Sequence, residues 1–217
     1  MEIKQMIVPK GSKNRPAYPM TPKYITIHDT GNIMNGAGAR NHALYIARGV
    51  NNVGWHFTVD DKEIYHHIPT NENAWHAEDG RNGTGNRSSI GIEICMHPEC
   101  DRVKAEANAA WLCNYLMDNV PSLLEFPNCI KQHWNWSKKN CPQIIRARPN
   151  GWNIFLKQIE GGINKMAEKW EIDLGIEAIK GLAKRGFINN SELWIARLKE
   201  GEPLPDWVIW HMFNKLK

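Results

Sequence analysis

Two short segments that alternate apolar with polar residues narrow the folds open to this chain more than any other feature. In Tyr24-Ile25-Thr26-Ile27-His28-Asp29 and Ser89-Ile90-Gly91-Ile92-Glu93-Ile94-Cys95 the isoleucines recur at every second position. That period places them on one face of a β-strand. The opposite faces carry Tyr24, Thr26 and His28 in the first segment, and Ser89, Gly91, Glu93 and Cys95 in the second. Three isoleucines facing one way mark the second segment as a central strand. His28 falls at the carboxyl end of its strand, just before the Thr30-Gly31 turn, where sites in α/β proteins cluster.

Helical texture alternates with these strands. The sequence predicts helices over 37–48, stopped by Gly49, over Val103 to Asn119 before Pro121, and over Trp152 to Trp170. Segments 55–59 and 63–68 flank Asp60-Asp61-Lys62 as a hairpin. Asn71 to Arg87, with three glycines, predicts a long surface loop of the kind that often carries function. Strands mixed with helices indicate an α/β domain. Beyond about residue 171 the texture changes to short helical pieces: Leu174 to Arg185, Ser191 to Lys199, and Asp206 to Lys217 after Pro203 and Pro205. A chain of 217 residues has room for one large domain, 1–170, and a small all-α module, 171–217, with the junction expected between 161 and 175.

Composition excludes several classes. At 42% hydrophobic and 23% charged the chain is neither disordered nor fibrous. No window reaches the ~20 apolar residues of a membrane span, and the N-terminus lacks the apolar core of a secretory signal, so synthesis in the cytoplasm without a membrane stage is expected. Five cysteines with no CxxC pair fit a reducing compartment. The net charge of +4 lies in the first 170 residues, since 171–217 carry seven charges of each sign. This is too mild for a nucleic-acid binder, and even 131–169, with an excess of +6, contains no nucleic-acid motif. Ten tryptophans are the compositional oddity; they suit core packing or a recognition surface that lies flat against a sugar ring.

One tight cluster mixes metal-ligating chemistries: Gln132-His133-Trp134-Asn135-Trp136-Ser137-Lys138-Lys139-Asn140-Cys141-Pro142. A catalytic zinc takes three protein ligands, imidazole and thiolate among them, and leaves a fourth position open. His133 and Cys141 would need a third ligand from elsewhere, and His28 at its strand end is a good donor. A lone His and a lone Cys are more often structural residues than ligands, so the spacing by itself leaves the question open.

The strings YITIHDTG (24–31), GWHFTVDD (54–61), NAWHA (73–77), SSIGIEI (88–94) and QHWNWSKKNCP (132–142), in this order, resemble the landmarks of the zinc-dependent N-acetylmuramoyl-L-alanine amidases. Phage lysins, bacterial cell-wall amidases and peptidoglycan recognition proteins share that family. The resemblance covers about residues 20 to 165. It implies a central mixed β-sheet flanked by helices and one zinc per chain, with His28, His133 and Cys141 at the ligand positions. It further implies Lys139 as the catalytic lysine and Glu93 as the base. Trp55 stands where some members have a functional Tyr, and without a hydroxyl it cannot repeat that role, which leaves the Glu-dependent mechanism. Glu93 would accept a water proton and pass it to the leaving amine, while Lys139 would put positive charge beside the oxyanion. The implied partner is bacterial peptidoglycan, cut between N-acetylmuramic acid and L-alanine.

Trp55, Trp75, His76, Trp134 and Trp136 are candidate substrate contacts. Trp75-His76 could equally anchor its loop, and Trp134 and Trp136 could stack on glycan or shield the zinc. His42, His56, His66, His67, His97 and His211 read as non-ligands, with His56 the best placed to support one. Cys95, Cys100, Cys113 and Cys129 read as buried small hydrophobes. The layout resembles a phage or prophage endolysin that reaches the wall after release. A bacterial autolysin and a peptidoglycan binder that does not cut are the alternatives. A cysteine peptidase built on Cys141 is disfavoured because Pro142 has no N–H to offer an oxyanion. The tail, with Trp194, Trp207 and Trp210 expected to be exposed, would bind the wall; these tryptophans could instead fill the module's own core.

Overall fold

The structure, a computed structural model, describes residues 1–199. Its strands are β1 (Ile3–Gln5), β2 (Tyr24–Asp29), β3 (Phe57–Val59), β4 (Ile64–His66), β5 (Ser89–Ile94) and β6 (Ile130–Gln132). Its helices are α1 (Ala39–Ala47), α2 (Thr84–Ser88), α3 (Arg102–Asn119), α4 (Trp134–Ser137), α5 (Gln143–Ala147), α6 (Gly151–Lys184) and α7 (Ser191–Lys199). The chain divides into two compact units, Met1–Glu160 and Gly161–Lys217.

In the first unit the strands form one sheet in the order β1-β4-β3-β5-β2-β6. The β3/β4 pair is antiparallel across the Asp60-Asp61-Lys62 turn, and the other neighbours are parallel. Helix α3 lies against β3 and β5, α1 against β3 and β4, and α5 against β2. The result is the mixed, helix-flanked α/β sheet expected from the sequence. β2 and β5 sit side by side, with Ile25 opposite Ile90 and Ile27 opposite Ile92. All four isoleucines are fully buried, each worth about 1.5–3 kcal/mol relative to exposure. The same register sets His28 opposite Glu93. On the other side of β2, Ile27 pairs with Gln132, so the next residue, His133, arrives beside His28. Alternation thus builds the core and, one residue further along, the functional row.

Two predicted segments turn out differently. The stretch expected as a surface loop, 71–87, keeps its middle, 78–84, at the surface but tucks in residues 73–77 and 85–86. The Asn86 side-chain carbonyl accepts the N–H groups of His76 and Ala77, each at 2.8 Å, and the Asp79 carboxylate accepts those of Gly85 at 2.6 Å and Asn86 at 3.2 Å. Short polar side chains satisfy the backbone from within, which lets an irregular segment be buried. Helix α6 runs unbroken from Gly151 to Lys184, through Gly161-Gly162 and across the gap between the two helices the sequence predicts over 152–170 and 174–185. A glycine costs about 1 kcal/mol relative to Ala in a helix, and without a proline the segment continues.

Within the second unit Ile179 and Trp194 form a small buried core, with Ile188, Ile195 and Leu198 packed on it. A Cβ at Gly175 would lie 2.5 Å from Leu198 Cδ2, so glycine permits that approach. Trp194 is 8% exposed, a correction to its expected exposure: the module is small, and its one described tryptophan is needed inside. The predicted helix over 206–217, with Trp207 and Trp210, lies outside the described residues. No described helix is long and apolar enough to cross a membrane.

Candidate metal centre and active site

His28, Glu93 and His133 stand in a row at the carboxyl ends of the adjacent parallel strands β2, β5 and β6. The segment after α4 brings Cys141 to the same place. Lys138 adopts a left-handed conformation, φ 66°, that ends α4, and the Trp134 N–H then donates to Cys141 O at 3.1 Å. The Asp29 N–H donates to Cys141 Sγ at 3.3 Å.

Donor atoms of His28, His133 and Cys141 all lie within 4.8 Å of one another, and the three residues are buried. His28 Nδ1 is 3.0 Å from His133 Nδ1 and 3.9 Å from Cys141 Sγ. A tetrahedral zinc with Zn–N of ~2.05 Å and Zn–S of ~2.3 Å needs N···N and N···S edges of roughly 3.3 and 3.6 Å. The side chains therefore fit a zinc-sized ion with shifts of a few tenths of an ångström. The chemistry fits too, since two imidazoles and a thiol form a borderline-soft donor set.

The tautomer of His28 follows from its neighbours. His76 Nε2 faces the Ser89 carbonyl oxygen at 3.2 Å, which can only accept, so that nitrogen carries the proton. Burial holds the His76 pKa down to about 3, so the ring is neutral and its Nδ1 is an acceptor. His28 Nε2, 2.9 Å from it, must donate. His28 Nδ1 is thereby left with a bare lone pair turned toward His133 and Cys141, the state a metal ligand needs. Burial, then the neighbouring His76 and His133, holds the His28 pKa well below its ordinary value. His76, a candidate substrate contact or loop anchor, lines the same cleft as His28 and Glu93, is engaged within the protein on both nitrogens and is 6% exposed. Gly91 explains how the ring fits: a Cβ there would lie 2.9 Å from His76 Cγ and Nδ1. His56 packs edge-on to His76 rather than against His28.

Glu93 Oε1 lies 3.9 Å from His28 Nδ1, and its Oε2 is buried without a hydrogen-bond partner. Burial, with Asp29 adding and Lys139 opposing, pushes its pKa up to about 8. A cation in the centre would pull it back toward ionisation. Burial pushes the Cys141 thiol up to about 12, so a positive charge is needed to make it a thiolate. Lys139, half exposed, pairs with Glu78.

These groups line a cleft of about 270 Å³ that also includes Trp55, Trp75 and Asn140. Trp75 borders a second, adjoining cleft of about 790 Å³. Trp55 is 7% exposed, and its Nε1 donates to Thr58 Oγ1 at 2.6 Å. Trp134 and Trp136 do not line the cleft. Trp134 lies under the Arg146 guanidinium, 4.3 Å from its ring centroid, and Trp136 donates to Thr26 Oγ1 at 2.9 Å with its ring against Tyr24.

Three supporting residues, Asp29, Glu106 and Glu78, escaped the sequence reading. Asp29 takes Arg102 on Oδ1 and the Ile144 N–H on Oδ2 at 2.8 Å while its own N–H holds Cys141. Buried Glu106 braces Arg102 at 2.7 Å and Arg148 at 2.6 Å. Glu78, with φ +54°, holds Lys139. The signal for Asp29 was its place directly after His28 in the alternating strand; for Glu78 there was none.

A buried His/His/Cys cluster that could hold a metal ion thus stands beside a buried carboxylate at the carboxyl end of a mixed sheet. Residues 18–144 match the family model described as N-acetylmuramoyl-L-alanine amidase, and the chain belongs to that family. It is 47% identical over 159 residues to the N-acetylmuramoyl-L-alanine amidase CwlH of Bacillus subtilis (strain 168), covering 72% of this chain and 60% of that protein. It is 48% identical over 162 residues to XlyA of the same organism, covering 75% of this chain and 52% of XlyA. The solved catalytic domain of XlyA superposes with a TM-score of 0.68 at 46% identity, covering 73% of this chain and 99% of that domain. The chain thus spans little more than half the length of these curated relatives.

Proposed function

We propose that the protein hydrolyses peptidoglycan at the amide between the lactyl group of N-acetylmuramic acid and L-alanine, with one catalytic zinc held by His28, His133 and Cys141. The reading rests on the convergence of those three donors beside Glu93 inside the family-matched region. Zinc bound there supplies Lewis acidity, which acidifies water and polarises a carbonyl. Glu93 accepts the proton of the attacking water on a carboxylate oxygen and returns it to the departing alanine nitrogen. Lys139 leaves Glu78 to place its ammonium beside the oxyanion, an interaction worth about 2.7–4 kcal/mol by analogy with single donors of this type. Trp55 and Trp75 form the cleft wall against which the sugar or stem peptide rests.

Residues 1–170 carry the chemistry, and 171–217 hold the enzyme on the wall. Phage or prophage endolysin is the preferred biological setting, with bacterial autolysin as the variant. A binder that does not cut is disfavoured by the complete ligand set beside a buried carboxylate. The test is digestion of purified cell walls with the product ends identified. New alanine amino groups without new reducing sugar ends support the reading. New reducing ends, or no new ends from zinc-loaded protein, refute it.

A further inference from the structure

A second set of metal-ligating side chains converges outside the cleft. Asp61 in the β3–β4 turn, and His97 and Cys100 in the segment from β5 to α3, each offer a donor atom, and the three atoms lie within 4.8 Å of one another. None of the three lines the cleft that holds His28 and Glu93.

The backbone fixes this arrangement without a ligand. The Cys100 N–H donates to His97 O at 3.0 Å, closing a turn over Pro98 and Glu99. Two ligands separated by two residues form the pairing that structural zinc sites use repeatedly. The turn bearing Asp61 is held by Asp60, whose Oδ1 accepts the N–H groups of Lys62 at 2.8 Å and Glu63 at 2.7 Å. Asp60 Oδ2 accepts the Ala39 N–H at 2.8 Å, and Asn108 donates to the Asp60 carbonyl at 2.8 Å.

Two polar atoms in the cluster are left unmet. Asp61 Oδ1 and His97 Nδ1 are buried with no hydrogen-bond partner, and His97 as a whole is 8% exposed. A buried polar atom without a partner is costly and calls for an explanation. The Cys100 sulfur and a carboxylate oxygen of Asp61 lie within 4.8 Å of each other, so a cation entering there would displace the thiol proton. Lys62 competes weakly, its Nζ 4.0 Å from Asp61 Oδ2 on a side chain 71% exposed.

We propose that Asp61, His97 and Cys100 form a second zinc site that ties the β3–β4 turn to the β5–α3 segment, separate from the His28/His133/Cys141 centre. One thiolate, one imidazole and one carboxylate select a borderline-soft divalent ion over magnesium or calcium. With three protein ligands the fourth position falls to water. Cys100 gives up its proton to solvent as the ion binds. The role is structural, because the three side chains tie two segments together and lie outside the cleft that holds His28 and Glu93.

The test counts zinc on the full chain after saturation with zinc and removal of unbound metal by gel filtration. The wild type is expected to retain two ions. Cys100→Ser and His97→Ala are each expected to retain one and to keep muropeptide turnover, and Cys141→Ser to retain one and lose turnover. One ion on the wild type, or two on Cys100→Ser, overturns the second site and leaves the catalytic reading standing. Should the Cys100 and His97 variants fail to fold, the wild type decides by thiol alkylation with peptide mapping. Cys100 is expected to be labelled by iodoacetamide in zinc-free protein and protected in zinc-saturated protein. Equal labelling in the two states overturns the proposal.

Discussion

Gly91→Ala tests whether the metal centre depends on the packing behind it. The new methyl would lie 2.9 Å from Cγ and Nδ1 of His76, well inside van der Waals contact, and β5 cannot retreat because it is paired on both sides, with β2 and β3. The His76 ring must therefore move. It is held between Ser89 O at 3.2 Å and His28 Nε2 at 2.9 Å, so any displacement weakens the bond that fixes the His28 tautomer. Overpacking of this kind costs about 1–3 kcal/mol of stability. Loss of a hydrogen bond to a ligating imidazole lowers metal affinity by about 10–100-fold. The assay is zinc affinity by competition with a chromogenic chelator, alongside thermal unfolding of the zinc-free protein. The expected result is a fall in both. A variant that loses stability but binds zinc within about twofold of wild type would falsify the coupling of His76 to the centre.

Cys141→Ser is expected to lose catalytic zinc and turnover together, because a hydroxyl does not replace a thiolate; stoichiometric zinc at that centre in the variant would remove Cys141 from the ligand set. Glu93→Gln and Lys139→Ala are expected to bind zinc normally and to lose about 100-fold or more in kcat on purified peptidoglycan, whereas wild-type rates would take either residue out of the mechanism. Burial holds the His67 pKa near 3, against ~6.5 unfolded. The unfolded state then binds the extra proton first, so stability is lost as pH falls below ~6.5, by up to 1.4 kcal/mol per pH unit. Urea unfolding between about pH 7 and 4.5 should show a shallower pH slope in His67→Gln, and an unchanged slope would refute the assignment to His67. A chain ending near residue 170 is expected to cleave soluble muropeptides normally and clear cell walls poorly; unchanged wall lysis would dismiss the targeting role.

The parts of this fold legible in the sequence are those written in short periods. Alternation over 24–29 and 89–95 fixed both central strands and which face each side chain took, and register then carried His28 opposite Glu93 with no further information. Asp101 opens α3 by accepting the Lys104 N–H at 3.2 Å, and the helix follows the apolar spacing to Asn119. What stayed hidden depends on partners distant in sequence. His76 reads as a loop residue until Gly91, fifteen positions on, makes room for its ring. Asp29 reads as a strand end until Arg102 and Ile144 arrive to hold it. Trp194 reads as an exposed aromatic until Ile179 and Leu198 close over it.

The same division separates ligands from their supports. A ligand must present a particular chemical group, so residue type betrays it. A support need only place a lone pair or a methyl-sized gap, and many residue types can do that from many places along the chain. Asp29 does both kinds of work at once: its side chain is locked by α3 and α5 while its backbone N–H steadies the Cys141 sulfur. Stiffness around the Cys141 sulfur is therefore set by a buried ion pair whose members lie 73 residues apart.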